Sequence, residues 1–466
     1  MSEKTVKPFG LKDKIGYMFG DFGNDFTFIF SSSFLMVFYM KVWGISGAAV
    51  GTLFLIARIV DAFTDVTMGR IVDTCKPGKD GKFKRWIRIM AGPVALASFL
   101  MYQSALADAS MTVKMVYMYA TYILWGSICY TGINIPYGSM ASAITDVPEE
   151  RTALSTFRSI GATLAQLVIG VGGPMIIYAT DADGTQVIRN GGSIFPVVAA
   201  IFSVCALICY FICYKCTTER IRIEPDPNAE KISLAKTFGS IFSNRALLGI
   251  VGAAIFLLLS SLMLSSVNTY LYADYFGNVK ALSTYNMITM LCSLLMATIT
   301  GVTVKKFGKK ESAAAATIFT GVVFLILGFL NLKNAWAFLI IAAVGYLGVS
   351  YFNLIIWANI IDVIDDVEVR TGKREDGTVY AVYSFARKVG QALAGGLGGY
   401  ALGIIGYVSE AKTQTPEVLG GLYKLATIVP GILFLCVALM LIFVYPLSKK
   451  KVEANVEVLR SRRVEK

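Results

Sequence analysis

Long apolar segments recur along most of the chain and are separated by short polar connections. A helix needs roughly 20 apolar residues to cross a hydrocarbon core about 30 Å thick, and twelve segments of this kind are present. The first six span residues 15–40, 48–72, 86–106, 112–144, 154–178 and 194–212. The second six span residues 247–272, 282–304, 313–330, 335–361, 378–405 and 422–444. This pattern predicts an all-α membrane protein with twelve transmembrane helices.

The longest polar connection divides these spans into six and six. We therefore predict an N-terminal six-helix half that contains a cation site, a central linker, a C-terminal six-helix half and a basic tail. Their residue ranges are 1–213, 214–244, 245–448 and 449–466. Two six-span halves joined by a polar linker resemble the layout of the major facilitator superfamily, whose substrate sites lie between the halves near mid-membrane.

The composition agrees with a membrane environment, since 55% of the 466 residues are hydrophobic and the mean hydropathy is +0.62. The formal net charge of +12 would also suit a nucleic-acid-binding protein. Most of the 43 Lys and Arg residues, however, lie in the N-terminus, the even-numbered connections and the C-terminus. This positive-inside pattern predicts a multi-pass protein of the bacterial inner membrane with both termini in the cytoplasm, and no nucleic-acid partner.

Eight cysteines are present, and four of them repeat at helical spacing near the end of the sixth span, at Cys205, Cys209, Cys213 and Cys216. We expect these small side chains to pack on one helix face. A metal or redox site is the alternative interpretation, because the last two form a CxxC pattern.

Charged residues inside the second span are the first candidate site. Arg58, Asp61 and Asp65 fall at i, i+3 and i+7, which places them on one helix face. Two carboxylates one turn apart repel each other unless they share a cation or one takes up a proton. The hydroxyl of Thr131 in the fourth span is a hard oxygen donor that would complete a sodium site. The alternative is a structural ion pair between Arg58 and Asp61.

A second group of polar residues suits a sugar. Asp21 and Asp25 lie one turn apart in the first span, and Arg158 and Lys388 add positive charge in the fifth and eleventh. Sugar hydroxyls both donate and accept hydrogen bonds, so carboxylates and guanidinium groups can each bind vicinal hydroxyls. Aromatic rings that would stack on a pyranose, unless they serve packing alone, are Tyr130, Tyr137, Tyr383 and Trp357.

An acidic cluster follows the predicted tenth span, at Asp362, Asp365, Asp366 and Glu368, and basic residues come directly after it. It is either a solvated helix end or an inner gate that forms salt bridges to the N-terminal half.

The residues 51–65, GTLFLIARIVDAFTD, closely match the second span of a known family, and further matches occur at 14–25, 121–126, 134–137 and 372–391. On these residues the chain resembles the glycoside-pentoside-hexuronide:cation symporters (melibiose permease-like) of the major facilitator superfamily. The resemblance covers essentially the whole membrane region. It implies a monomeric secondary transporter, not an enzyme, that couples uptake of a sugar or glycoside to a cation by alternating access.

The resemblance also implies site residues. The cation, expected to be Na⁺ and the sole cofactor, would be bound by Asp61, Asp65 and Thr131, with Thr64 in place of a family asparagine. The sugar-binding set would be Asp25, Arg158, Asn134, Lys388, Tyr130, Asn24, Ser384 and Tyr383. A proton-coupled sugar or oligosaccharide symporter and a lipid transporter on the same fold are the alternatives.

Three positions depart from the family pattern: Asn24 replaces a lysine, Asn134 an aspartate and Gly138 a tryptophan. The first two changes cancel in charge, so the sequence gives no electrostatic preference between acidic and neutral sugars. The third removes a stacking wall and leaves a volume that another group must fill.

Overall fold

The computed structural model describes residues 8–78, 80–145, 147–182, 185–221, 244–372, 376–408, 411 and 413–464, and the chain is helical over most of them. It divides into two compact units. The first comprises Met1–Ala229 with Val408–Lys412, and the second comprises Glu230–Tyr407 with Thr413–Lys466.

The described part of the first unit contains eight α-helices and one short hairpin. The helices are α1 (Leu11–Phe30), α2 (Gly47–Thr74), α3 (Lys84–Leu100), α4 (Met111–Ile123), α5 (Thr131–Ile144), α6 (Pro148–Gln166), α7 (Gly172–Ile177) and α8 (Ile194–Cys216). Antiparallel strands β1 (Tyr178–Thr180) and β2 (Gln186–Ile188) pair in the connection before α8. Short 3₁₀ turns lie at Ser104–Leu106 and Arg189–Gly192.

Several spans of the first unit contain π-helical segments, in which the backbone is wider than in an α-helix. They lie at Ser31–Leu35 and Phe38–Val42 after α1, at Leu124–Tyr130 between α4 and α5, and at Leu167–Val171 between α6 and α7. Two helices named separately are therefore one continuous span wherever such a segment joins them.

The second unit is entirely helical in its described part. Its helices are α9 (Arg245–Tyr270), α10 (Val279–Phe307), α11 (Lys309–Leu330), α12 (Ala335–Thr371), α13 (Asp376–Ile404), α14 (Pro416–Leu439) and α15 (Lys449–Val464). π-Helical segments extend α9 through Leu271–Tyr275 and α14 through Met440–Val444. Its buried core consists mainly of aliphatic side chains from α9, α12 and α14.

Each of the twelve predicted spans coincides with a long helix. Nine helices among the described residues are long and apolar enough to cross a membrane. The first, fourth and eleventh spans are not among these nine, and they carry many of the polar site candidates. The helix ends differ from the predicted span ends by up to ten residues. The largest difference is in the tenth span, which was predicted to end at residue 361, whereas α12 continues to Thr371 and includes the acidic cluster.

The cysteines of α8 pack against glycines of α1. A methyl group built on Gly16 would lie 2.7 Å from Cys216 Cβ, and one on Gly20 would lie 2.9 Å from Cys213 Sγ. All eight cysteines are free thiols, and the described residues contain no group of three or more potential metal ligands. The packing interpretation of the cysteine repeat is therefore confirmed.

The chain that leaves α8 is attached to the first unit. Glu219 accepts hydrogen bonds from the backbone N–H groups of Lys82 and Lys84 at the start of α3, each at 2.7 Å. Arg220 forms an ion pair with Asp13 of α1 at 2.7 Å. Residues 222–243, most of the predicted central linker, lie outside the described part of the chain.

Candidate functional site

Helix α2 places three charged side chains on one face. The helix begins after Ser46, whose side chain accepts a hydrogen bond from the backbone N–H of Ala49 and so caps it. Arg58 donates to Asp61 Oδ2 at 3.0 Å. Asp61 is 9% exposed and Asp65 is half-buried.

Two hydroxyl groups of the neighbouring span meet these carboxylates. Ser127 Oγ donates to Asp61 Oδ1 at 2.5 Å, and Thr131 Oγ1 donates to Asp65 Oδ1 at 2.7 Å. Ser127 lies in the π-helical segment Leu124–Tyr130, and Thr131 follows directly after it. π-Bulges occur frequently at functional sites because they re-aim side chains within a helix.

The result is a ladder of two hydroxyl–carboxylate contacts, stacked one helical turn apart. Asp61, Asp65 and Thr131 were expected to lie together, and they do. The hydroxyl of Thr64 is directed to its own helix, 3.2 Å from the carbonyl oxygen of Val60. Sequence analysis did not select Ser127, although its position one turn before Thr131 matches the spacing of the two aspartates.

A second polar group surrounds Arg158 of α6. Its Nε donates to Asp21 Oδ1 at 2.8 Å, so Arg158 and Asp21 form an ion pair. Its guanidinium carbon lies 5.4 Å from the ring centre of Tyr137, a cation–π contact. Tyr137 is in turn fixed by stacking on Tyr17 at 4.7 Å and by donating to the carbonyl oxygen of Tyr17 at 2.6 Å.

These contacts hold the guanidinium in place through Nε and one face. Tyr17 and Tyr137 therefore lie beside the same guanidinium that is paired with Asp21. Asp25, one turn beyond Asp21, accepts no hydrogen bond and forms no ion pair with any described residue. The guanidinium of Arg158 on α6 and the separate carboxylate of Asp25 on α1 thus lie on neighbouring helices of one unit.

The two asparagines that depart from the family pattern contact each other. Asn24 Nδ2 donates to Asn134 Oδ1 at 3.3 Å, and the hydroxyl of Tyr210 donates to Asn24 Oδ1 at 2.9 Å. A lysine and an aspartate at these two positions would be close enough to form an ion pair. A neutral amide pair therefore replaces a charged one, which gives a structural reason for the two changes to occur together.

Tyr130 and Gly138 lie two turns apart on the same span as Asn134. The ring of Tyr130 stacks on Phe28 at 5.6 Å and lies 5.5 Å from Trp125. A methyl group built on Gly138 would have no described atom within 4 Å. That another group fills the space left by a tryptophan at this position stays a prediction.

The remaining sugar-binding candidates belong to the second unit. The buried ring of Tyr383 packs edge-on against Trp357 at 4.9 Å, and the guanidinium of Arg387 lies 5.6 Å from the ring centre of Trp357. Lys388 is half-buried on the same helix. The side chain of Ser384 lies outside the described part of the structure.

The acidic cluster of α12 is not a solvated helix end. Asp362 is 5% exposed and Asp366 is 3% exposed. Lys309 Nζ donates to Asp362 Oδ1 at 2.6 Å, and Asn455 of α15 donates to Asp366 Oδ1 at 3.1 Å. Arg370 lies 3.7 Å from Asp366 as well, so both carboxylates are paired within their own unit.

Helical units with buried, paired charges in their spans define a multi-pass membrane transporter of the major facilitator superfamily fold. The chain belongs to the MFS/sugar transport protein family, whose model matches residues 16–449. The resemblance found in the sequence is thereby confirmed.

Among its relatives, the symporter YjmB of Bacillus subtilis (strain 168) is 34% identical over 452 residues, covering 97% of this chain and 95% of that protein. The glucuronide carrier protein homolog of Escherichia coli (strain K12) is 31% identical over 457 residues, covering 96% and 95%. A protein of Salmonella typhimurium named as a sulfoquinovose importer is 31% identical over 454 residues, covering 97% and 93%.

Solved structures support the fold. A crystal structure of a D-xylose-proton symporter matches with a TM-score of 0.64 at 13% identity, covering 94% of this chain and 98% of that one. The nucleoside transporter NupG matches with a TM-score of 0.59 at 14% identity, covering 96% and 99%.

Proposed function

We propose that this protein is a sodium-coupled symporter that carries a sugar or glycoside into the cell by alternating access. The observation that carries the proposal is the ladder in the first unit, in which Ser127 donates to Asp61 and Thr131 donates to Asp65. Two carboxylates one turn apart inside a membrane span are costly unless a cation or proton balances them. Arg58 pairs with Asp61, and a monovalent cation held between the two carboxylates would offset their repulsion.

Sodium fits this donor set because carboxylates and hydroxyl groups are hard oxygen ligands. A proton on Asp61 or Asp65 is the competing possibility, since the chain contains no histidine that would carry one instead. Proton coupling would need one titratable carboxylate, however, and gives no role to the hydroxyl that faces the second carboxylate. We therefore favour sodium.

The substrate would bind beside Arg158 and Asp25. A guanidinium attracts the carboxylate or sulfonate of an acidic sugar, while a carboxylate suits sugar hydroxyls. Relatives named for glucuronide and for sulfoquinovose are named for acidic sugars. We propose that an acidic sugar is the preferred substrate, which revises the indifference expected from the sequence.

The proposal includes the setting of the protein. Its bacterial relatives and the distribution of Lys and Arg support a place in the inner membrane, with both termini in the cytoplasm. A transporter that works in this way needs no enzymatic activity and no cofactor besides its coupling cation. We expect the protein to act as a monomer.

Transport by the purified protein in proteoliposomes tests the proposal. Labelled glucuronate, sulfoquinovose, a neutral hexoside and a neutral pentoside would be supplied with an inward Na⁺ gradient, an inward H⁺ gradient or neither. We expect accumulation of an acidic sugar with the Na⁺ gradient alone. Accumulation that follows the H⁺ gradient and ignores Na⁺ would contradict sodium coupling, and exclusive uptake of neutral sugars would contradict the assigned role of Arg158.

A further inference from the structure

We infer that Ser127 is a direct ligand of the coupling cation, a fourth oxygen donor beside Asp61, Asp65 and Thr131. This inference rests on the proposed sodium coupling, because it names a further member of the same site. Neither the sequence motif nor the resemblance assigns Ser127 a role.

The first argument is the equivalence of the two hydroxyls. Ser127 contacts Asp61 at 2.5 Å and Thr131 contacts Asp65 at 2.7 Å, so each hydroxyl faces one carboxylate. Ser127 is 1% exposed and Thr131 is 5% exposed. Two residues in matching positions on the same two helices should contribute to a bound ion in the same way.

The second argument comes from the backbone. A serine in a membrane helix commonly donates its hydroxyl to a carbonyl oxygen one turn earlier in its own helix, as Ser142 does to Ser139 at 2.8 Å. Ser127 instead donates across to α2 from within the π-helical segment Leu124–Tyr130. The wide turn therefore directs this hydroxyl toward Asp61.

The third argument is the chemistry of a hydroxyl group. While it donates to Asp61, the Ser127 oxygen keeps two lone pairs. One of these lone pairs can therefore bind an ion held between the carboxylates while the hydroxyl hydrogen still donates to Asp61. Asp61 already has a second partner in Arg58, so its orientation does not depend on Ser127 alone.

Sodium binding to the full-length purified protein, without sugar, tests the inference. The Na⁺ affinity would be measured by isothermal titration calorimetry for the wild type, Ser127→Ala and Ser127→Cys, with Ser142→Ala as a matched control on the same span. We expect Ser127→Ala to weaken Na⁺ binding roughly tenfold, as the loss of one contact to a charged group predicts. Ser127→Cys keeps the shape of the side chain but replaces a hard oxygen with soft sulfur, so it should weaken binding as well.

A ligand also changes the selectivity of the site, whereas a residue that only orients Asp61 affects all cations alike. The ratio of Na⁺ to Li⁺ affinity should therefore shift in both Ser127 variants and stay unchanged in Ser142→Ala. Wild-type Na⁺ affinity in Ser127→Cys, or an unchanged Na⁺ to Li⁺ ratio, would overturn the inference while leaving sodium coupling intact. A wild-type protein that binds no Na⁺ would overturn the proposed coupling and this inference together.

Discussion

Two of the aspartate pairs with four-residue spacing, one taken from each unit, have partners that differ in kind. Asp61 and Asp65 of α2 are met by one guanidinium and two hydroxyls. Asp362 and Asp366 of α12 are met by an ammonium, a guanidinium and an amide.

The difference agrees with the proposed cation site in α2 and with a structural pair in α12. In α12, the contacts supply one positive charge for each carboxylate, so the pair is balanced by the protein itself. In α2, a hydroxyl group of the neighbouring span faces each carboxylate, and a hydroxyl oxygen can also bind a cation. An i, i+4 aspartate pattern therefore does not identify a cation site by itself, because the side chains that meet the carboxylates differ.

The largest expected effect comes from removing one carboxylate from each pair. Asp65→Asn should abolish accumulation of sugar along a Na⁺ gradient, because the proposed site then loses one of its two carboxylate ligands. Asp366→Asn should reduce the amount of folded protein but leave accumulation per folded molecule intact. Uptake of labelled sugar into proteoliposomes, normalised to inserted protein, measures both. Unchanged concentrative uptake by Asp65→Asn would remove the distinction between the two pairs.

A positive charge can also be removed from each pair. Arg58→Gln and Lys309→Met each leave a buried carboxylate without its cationic partner, which should lower the free energy of unfolding by about 3 kcal/mol. Sodium can replace the missing charge in α2 but not in α12. Thermal unfolding would be measured in NaCl and in choline chloride. Na⁺ should raise the unfolding temperature of Arg58→Gln more than that of the wild type, and it should not restore the stability that Lys309→Met has lost. Equal responses of the two variants to Na⁺ would show that the pairs do not differ in this way.

A third aspartate pair, Asp21 and Asp25 of α1, tests whether partners predict roles more generally. Asp21 is paired with Arg158, whereas Asp25 has no partner among the described residues. Asp25→Ala and Arg158→Ala should weaken substrate binding by about 1 to 3 kcal/mol and leave Na⁺ affinity unchanged. Equilibrium binding of the transported sugar and of Na⁺ to the same preparations measures both quantities. A loss of Na⁺ affinity as large as the loss of sugar affinity would place these residues in the cation site instead.

The sequence predicted the fold because a hydrophobic span is a local property that depends on length and composition. It also predicted that Asp61, Asp65 and Thr131 lie together, because spacing on one helix and a family pattern both point to these residues. It failed to predict Ser127, whose orientation depends on a π-helical segment that has no sequence signature of its own. It also failed to pair Arg158 with Asp21 and Asn24 with Asn134, since partners on different helices depend on how those helices pack.

The smallest expected effect concerns the neutral partners of the two pairs. Asn455→Ala removes the amide that donates to Asp366, but Arg370 still lies beside that carboxylate, so the free energy of unfolding should fall by only about 1 kcal/mol. Thr131→Val removes a hydroxyl of nearly the same size from Asp65 and should change stability without sodium by a similar amount. The two variants should separate when NaCl is added, because a bound ion stabilises the fold in proportion to its affinity and Thr131→Val has lost one of its ligands. The rise in unfolding temperature produced by NaCl should therefore be smaller in Thr131→Val than in the wild type and unchanged in Asn455→Ala. If NaCl stabilises both variants as much as it stabilises the wild type, Thr131 is a structural partner like Asn455. The hydroxyl groups that face α2 would then no longer distinguish its aspartate pair from the pair in α12.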